Sequence, residues 1–302
     1  MSGKKFRNLP RLFFILIAVL SLGVQLPAEG IAGGGKKHFL WKVSSETNTV
    51  YIMGSLHLLR KENYPLPEAF ENTYQDSEVL VFEVDPGTLN TPETVRMMLS
   101  KATLGKDVTL DQVLSEETYG KTKRKLSLLG ADILMYQKSK PWFVAVTLGF
   151  LKLKSIGLDP SDGVDMYYYD KAVADGKEIE GLETAEFQVN MLARAGEENE
   201  DAYLLQTLED LDVMDDELQV MLDSWSIGNA ARFQKAMFKS YEDYPEVYDS
   251  FLVERNKNWF PKVENFIGRD EDYLVIVGSG HLVGKDGLIN LLSEKGYKIE
   301  QL

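Results

Sequence analysis

Tyr273-Leu274-Val275-Ile276-Val277-Gly278-Ser279-Gly280-His281, near the carboxyl end, repeats in outline Val50-Tyr51-Ile52-Met53-Gly54-Ser55-Leu56-His57, near the amino end. Each stretch opens on an apolar, β-branched run that predicts a buried strand. Each then turns through Gly-x-x-His and continues with a leucine, Leu58 or Leu282. Glycine at that place permits a sharp, often left-handed turn off the strand, or a close backbone approach. The histidine then stands at the carboxyl end of a strand, where open α/β sheets form ligand crevices. The 302-residue chain has three histidines. Two of them in equivalent places of a repeated strand-turn unit point to one shared site. A lone Gly-x-x-His would more simply be a histidine hydrogen-bonded under a loop.

Outward from these strands, residues 39–43 and 49–53 predict a strand pair joined by a hairpin loop at 44–48. Residues 78–84 form a strand too apolar to face water on either side, stopped by Asp85-Pro86-Gly87. A helix is expected at 67–74. From 91 to about 176 the pattern is helical, with one helix across 111–129 and an almost wholly apolar one opened by Pro141-Trp142. A further helix runs from about 162 to 174 and stops at Gly176. A short strand at 177–182 precedes a helix at 183–195. Two or three helices fill 197–240, and one or two fill 244–267. Strand 273–277, helix 286–293 and strand 297–300 close the chain. The expected fold class is α/β: a central mixed sheet built from strands at the two ends of the chain, with a helical insertion over about 91–267. Residues 38–302 are expected to form one domain.

Residues 1–28 read as a signal peptide. Lys4, Lys5, Arg7 and Arg11 precede an apolar stretch from Leu12 to Leu22, with small-residue cut sites after Ala28 or Ala32. The apolar stretch is short of the roughly 20 residues of a membrane span. An uncleaved N-terminal membrane anchor is the minor alternative. Residues 29–37 form a flexible linker around Gly33-Gly34-Gly35. The expected location is periplasmic or extracellular, with no stable membrane insertion after cleavage. No cysteine is present, which excludes disulfides, lipobox attachment, thiol catalysis and Cys-ligated zinc. The core must therefore hold the fold, and about 270 residues suffice for that. Loss of the four leader cations takes the formal net charge from −14 to −18. Such a surface repels phosphate backbones, so nucleic acid is not an expected partner.

A two-histidine metal site needs an anionic ligand. Glu83 ends a strongly apolar strand, where an ionised carboxylate is costly unless paired or coordinated. It is the leading candidate as ligand or base; its alternative is a salt bridge with Arg255. Asp85 is the fallback. Glu183 either caps the helix after it or joins the site. Arg255, on an amphipathic helix, is either solvated or placed to hold a carboxylate or an oxyanion. H-E-x-x-H and G-x-S-x-G are both absent. The loop from Gly278 to Gly284 approaches a dinucleotide fingerprint, but its last glycine falls one residue late and too little chain follows for a βαβ unit.

These residues resemble the TraB/GumN family, which includes the Tiki proteases, over nearly all of the chain from about Phe39 to Gln301. The resemblance rests on Gly54-Ser55-Leu56-His57, the strand ending in Glu83, Lys140-Pro141-Trp142 and Gly163-Val164-Asp165. It continues through Gly181-Leu182-Glu183-Thr184 with Gln188, Glu254-Arg255-Asn256 with Trp259, Gly278-Ser279-Gly280-His281 and Gly296-Tyr297. It implies an α/β fold of the Tiki, erythromycin-esterase and ChaN-like kind and a metal-dependent hydrolase. His57, His281 and Glu83 map onto the family's metal site and Arg255 onto its arginine. Manganese or cobalt is favoured by the resemblance, with zinc possible. The expected function is an exported metallopeptidase acting on a peptide or protein, with Glu83 or Glu183 taking a proton. The alternative is a peptide- or pheromone-binding protein without catalysis. The sequence leaves the oligomeric state open.

Overall fold

Six strands form one sheet: β1 (Leu40–Ser44), β2 (Thr49–Ser55), β3 (Val79–Phe82), β4 (Glu178–Gly181), β5 (Tyr273–Gly278) and β6 (Ile299–Gln301). The structure is a computed structural model and describes residues 37–241 and 245–302. The signal peptide and all of the linker but Lys37 lie outside the described residues. Strand order across the sheet is β4-β3-β5-β2-β1-β6. Strands β4, β3, β5 and β2 run parallel, and β1 is antiparallel to both β2 and β6. A parallel sheet covered on both faces needs unbroken apolar runs. Every residue of β3 and β5 is buried accordingly. The mixed α/β class is thus observed. One feature of the expected layout is corrected: β4 comes from mid-chain, so the 91–267 stretch also supplies an edge strand. Its Glu-Ile-Glu-Gly run is exposed at both ends and half-buried between, as an edge strand tolerates.

Ten helices of more than one turn are described: α1 (Glu68–Asp76), α2 (Pro92–Ala102), α3 (Glu116–Leu128), α4 (Pro141–Ser155), α5 (Val164–Asp175), α6 (Ala185–Arg194), α7 (Glu200–Ser226), α8 (Ala230–Tyr241), α9 (Glu254–Ile267) and α10 (Leu288–Glu294). Their ends follow local chemistry. Prolines occupy the first turns of α2 and α4, and Gly176 takes the left-handed conformation that ends α5. The helix expected over 111–129 is split. Leu114 is extended, and the Ser115 side chain accepts from the Thr118 N–H to start α3 afresh. Helix α7 packs against α3, α4 and α8, so the middle of the chain forms a helical layer. A five-residue π segment, Asp249–Val253, runs straight into α9. No described helix is long and apolar enough to cross a membrane.

Candidate functional site

The two Gly-x-x-His units lie on neighbouring parallel strands, Gly54 opposite Val277 and Ser55 opposite Gly278. Neither Gly54 nor Gly278 has a positive φ, so the left-handed turn expected at these glycines does not form. The use of Gly54 is close approach. A Cβ at Gly54 would stand 2.8 Å from Ser279 Oγ and 3.2 Å from a Leu282 methyl. Ser279 Oγ donates to the Ser55 carbonyl at 3.0 Å and ties the two turns together. Strand β3 flanks β5 on its other side, so Glu83, one residue past β3, reaches the same point. Glu183, two residues past β4, completes the row. All four parallel strands thus deliver a candidate side chain from their carboxyl ends.

His57, His281, Glu83, Glu183 and Arg255 all come together. Glu83 is 5% exposed, and its Oε1 accepts the Gly278 N–H at 2.8 Å. The same oxygen stands 3.7 Å from His57 Nε2 and 3.8 Å from His281 Nε2. Arg255, fully buried, donates to Glu83 Oε2 and to Glu183 Oε1, the latter at 2.6 Å. Its Nε reaches both Glu183 oxygens, at 3.1 and 3.2 Å, and its Nη1 reaches the Phe251 carbonyl at 3.3 Å. Nη1 also donates to His281 Nε2 at 2.9 Å. The guanidinium lies over the Trp259 ring, 4.5 Å from its centroid. The salt-bridge alternative for Glu83 is therefore realised, and a solvated Arg255 is not. Capping by Glu183 is also not observed: Thr184 caps α6 through the Phe187 N–H. Glu183 instead accepts from Arg255, from Trp259 Nε1 at 3.0 Å and from Gln188 Nε2 at 3.0 Å. Asp85 stays apart, accepting from the Gly87 N–H. The dinucleotide alternative has no α-helix start at its loop: a single 3₁₀ turn, Ser279–His281, follows Gly278, and α10 opens only at Leu288.

Four partners had no role assigned from sequence: Asp165, Asn256, Gln188 and Trp259. Asp165 Oδ2 meets His57 Nδ1 at 2.6 Å, and Asn256 Oδ1 meets His281 Nδ1 at 2.7 Å. The Asn256 amide is fixed by donation to the carbonyls of His281 and Asp286, so its Oδ1 accepts and His281 Nδ1 carries the proton. Their only sequence signal was membership of the short runs Gly163-Val164-Asp165 and Glu254-Arg255-Asn256.

Charge in the cluster is tightly coupled. Burial pushes the Glu83 carboxyl up, but Arg255, His281, His57 and the Gly278 N–H outweigh it and bring it down to about 2. Burial pushes His57 down, and Asp165 more than reverses this, raising it to about 9. Burial and Arg255 press His281 down to about 3, leaving it neutral.

These contacts bear on whether a divalent cation fits the cluster. Two observations favour it. His57 Nε2 is buried without a hydrogen-bond partner. Glu83 and Glu183 share the Arg255 guanidinium and Asp165 pairs with His57, so a divalent cation that displaced the His57 proton would leave three carboxylates balanced by three positive charges. One observation opposes it: Arg255 Nη1 already occupies His281 Nε2. Among the described residues, no three His, Cys, Asp or Glu side chains are so arranged that they could hold a metal ion together. The donors thus fit in type and charge, while Arg255 takes the place beside His281.

The model of the TraB/PrgY/gumN family matches residues 39–301. The chain is 25% identical over 267 residues to "Uncharacterized protein YbaP" of Escherichia coli (strain K12), covering 88% of this chain and 92% of the relative. A protein of the same description from Shigella flexneri is 24% identical over 260 residues, covering 84% and 93%. No solved structure matches.

Proposed function

The chain belongs to the TraB/PrgY/gumN family, and from that membership and its buried cluster we propose that it is an exported, metal-dependent hydrolase, a peptidase by reaction class. One observation carries the reading. Two imidazole Nε2 atoms converge on Glu83 Oε1, at 3.7 and 3.8 Å, while Asp165 and Asn256 hold the opposite ring nitrogens. Outer partners of this kind fix the tautomer and orientation of metal-binding histidines. His57, His281 and Glu83 would hold the cation, and manganese, cobalt or zinc suits such a set. A divalent cation supplies Lewis acidity toward a carbonyl and lowers the pKa of a bound water. Kinship with Tiki, erythromycin-esterase and ChaN-like folds belongs to the same proposal and is supported by a site at the carboxyl ends of parallel strands. Export rests on the basic-then-apolar leader of residues 1–28.

The chain's own groups divide the remaining work. Of the two candidate bases, Glu83 lines the crevice beside His57 and Glu183 does not, so Glu83 is the one that can meet an attacking water, although a carboxyl held down at about 2 serves better as a ligand than as a base. Glu183 has both oxygens engaged by Arg255, Trp259 and Gln188, and it positions Arg255. Arg255 in turn orients Glu83 and His281 from beneath.

A second reading, a peptide-binding protein without metal chemistry, is favoured by one contact, Arg255 on His281 Nε2. The test is cleavage of a peptide library with added manganese, cobalt or zinc. His57→Ala and His281→Ala should each drop cleavage to background while keeping the native circular dichroism spectrum. Full activity in either variant refutes the hydrolase. Tight peptide binding with no cleavage under any of the three metals favours capture.

A further inference from the structure

Beside His57 the cluster opens into a crevice of about 230 Å³. The crevice is lined, among others, by the polar side chains of His57, Glu83 and Gln188 and by the apolar ones of Leu89, Phe150 and Met166. These three come from separate elements: the turn after β3, the middle of α4 and the first turn of α5. Leu89 and Phe150 are each 37% exposed, large apolar groups left open to water at a reactive cluster. Single exposed leucines are ordinary. Apolar side chains from three elements around one cleft with a few convergent polar groups are how ligand sites are lined. The volume lies below the roughly 300 Å³ at which whole small-molecule pockets begin, so it suits one side chain of an extended chain. No Lys or Arg lines the crevice, and its two carboxylates, Glu83 and Asp165, outnumber its one imidazole, His57. An acidic side chain entering it would lose water and meet like charge.

We infer that this crevice selects substrates with a Leu-, Met- or Phe-sized apolar side chain beside the reacting bond, and that Leu89, Phe150 and Met166 determine that specificity. The inference rests on the peptidase reading and narrows its substrate class. These residues touch the selected side chain and not the reacting atoms.

The test is calorimetric binding to the purified full chain, with and without manganese. The probes are blocked tetrapeptides, all alanine except for one Leu, Phe or Asp placed at each position in turn. At one position, Leu or Phe should bind at least about tenfold tighter than Asp. The double variant Leu89→Ser, Phe150→Ser should erase that gap while keeping the native circular dichroism spectrum. Equal affinities at every position, a gap that survives the double substitution, or no binding of any peptide overturns the inference. Cleavage without apolar preference sinks the inference and spares the hydrolase. Apolar-selective binding without metal-dependent cleavage does the reverse.

Discussion

Arg255 is the residue on which the cluster's charge balance turns. It spends all its donors on Glu83, Glu183, His281 and the Phe251 carbonyl, with no exposure to water. A buried ion pair adds little net stability when intact, but removing one partner strands the other charge. Arg255→Ala should therefore cost about 3–5 kcal/mol in urea unfolding. Glu183→Gln in the same background should recover part of that loss, because it removes one stranded carboxylate. A loss below about 1 kcal/mol would show that the carboxylates find other partners. The sequence made His57, His281, Glu83 and Arg255 legible because their types are chemically conspicuous and their spacing repeats. Asp165 and Asn256 were not, because an acid in a helix's first turn and an amide beside an arginine are ordinary in solvated helices. Only the tertiary fold aims them at the two imidazoles.

At the scale of elements, the approach of α5 to β2 sets the His57 geometry. Val164 N–H donates to the Leu56 carbonyl at 2.9 Å, and a Cβ at Gly163 would come within 2.2 Å of the His57 carbonyl oxygen. No rotamer change relieves a clash with backbone, so Gly163→Ala must push α5 away and carry Asp165 off His57. We expect about 1–3 kcal/mol of destabilisation and a His57 proton resonance that titrates lower than in the parent, since Asp165 is what raises it. Unchanged stability and titration would show that α5 is not what holds the imidazole. The strands were legible from their unbroken apolar runs. The split near Leu114 was not, because Ser115 reads equally well inside a polar helix face as at a cap. Which of its two uses Gly54 serves is not legible in the sequence, because close packing of a distant loop leaves no trace there.

For the whole molecule, burial of many phenols sets the alkaline limit of stability. Burial and then Asp76 push Tyr51 up to about 12, and burial and then Glu71 push Tyr167 up to about 12. Tyr64 and Tyr203 move the same way, chiefly through burial. The unfolded chain gives up these protons near the ordinary value of about 10, and the native fold retains them. The stability they contribute is thus whole below pH 10 and is lost as pH rises toward 12. Urea midpoints should fall modestly between pH 7 and 9 as native His57 gives up its raised proton, and fall again between pH 10 and 12, this second fall being less steep in Tyr51→Phe. A flat profile to pH 12 would contradict the burial.

The proposed function depends on His57, His281 and Glu83 serving as one cation site at the carboxyl ends of β2, β5 and β3. The most direct measurement is the manganese stoichiometry of the purified chain, read by elemental analysis after equilibrium dialysis, beside His57→Ala, His281→Ala and Glu83→Gln. The account predicts about one ion per chain, with the ligand set of a two-histidine, one-carboxylate site, and no ion in any of the three folded variants. Retention of the ion by any of them, or a parent chain that binds none, would contradict it.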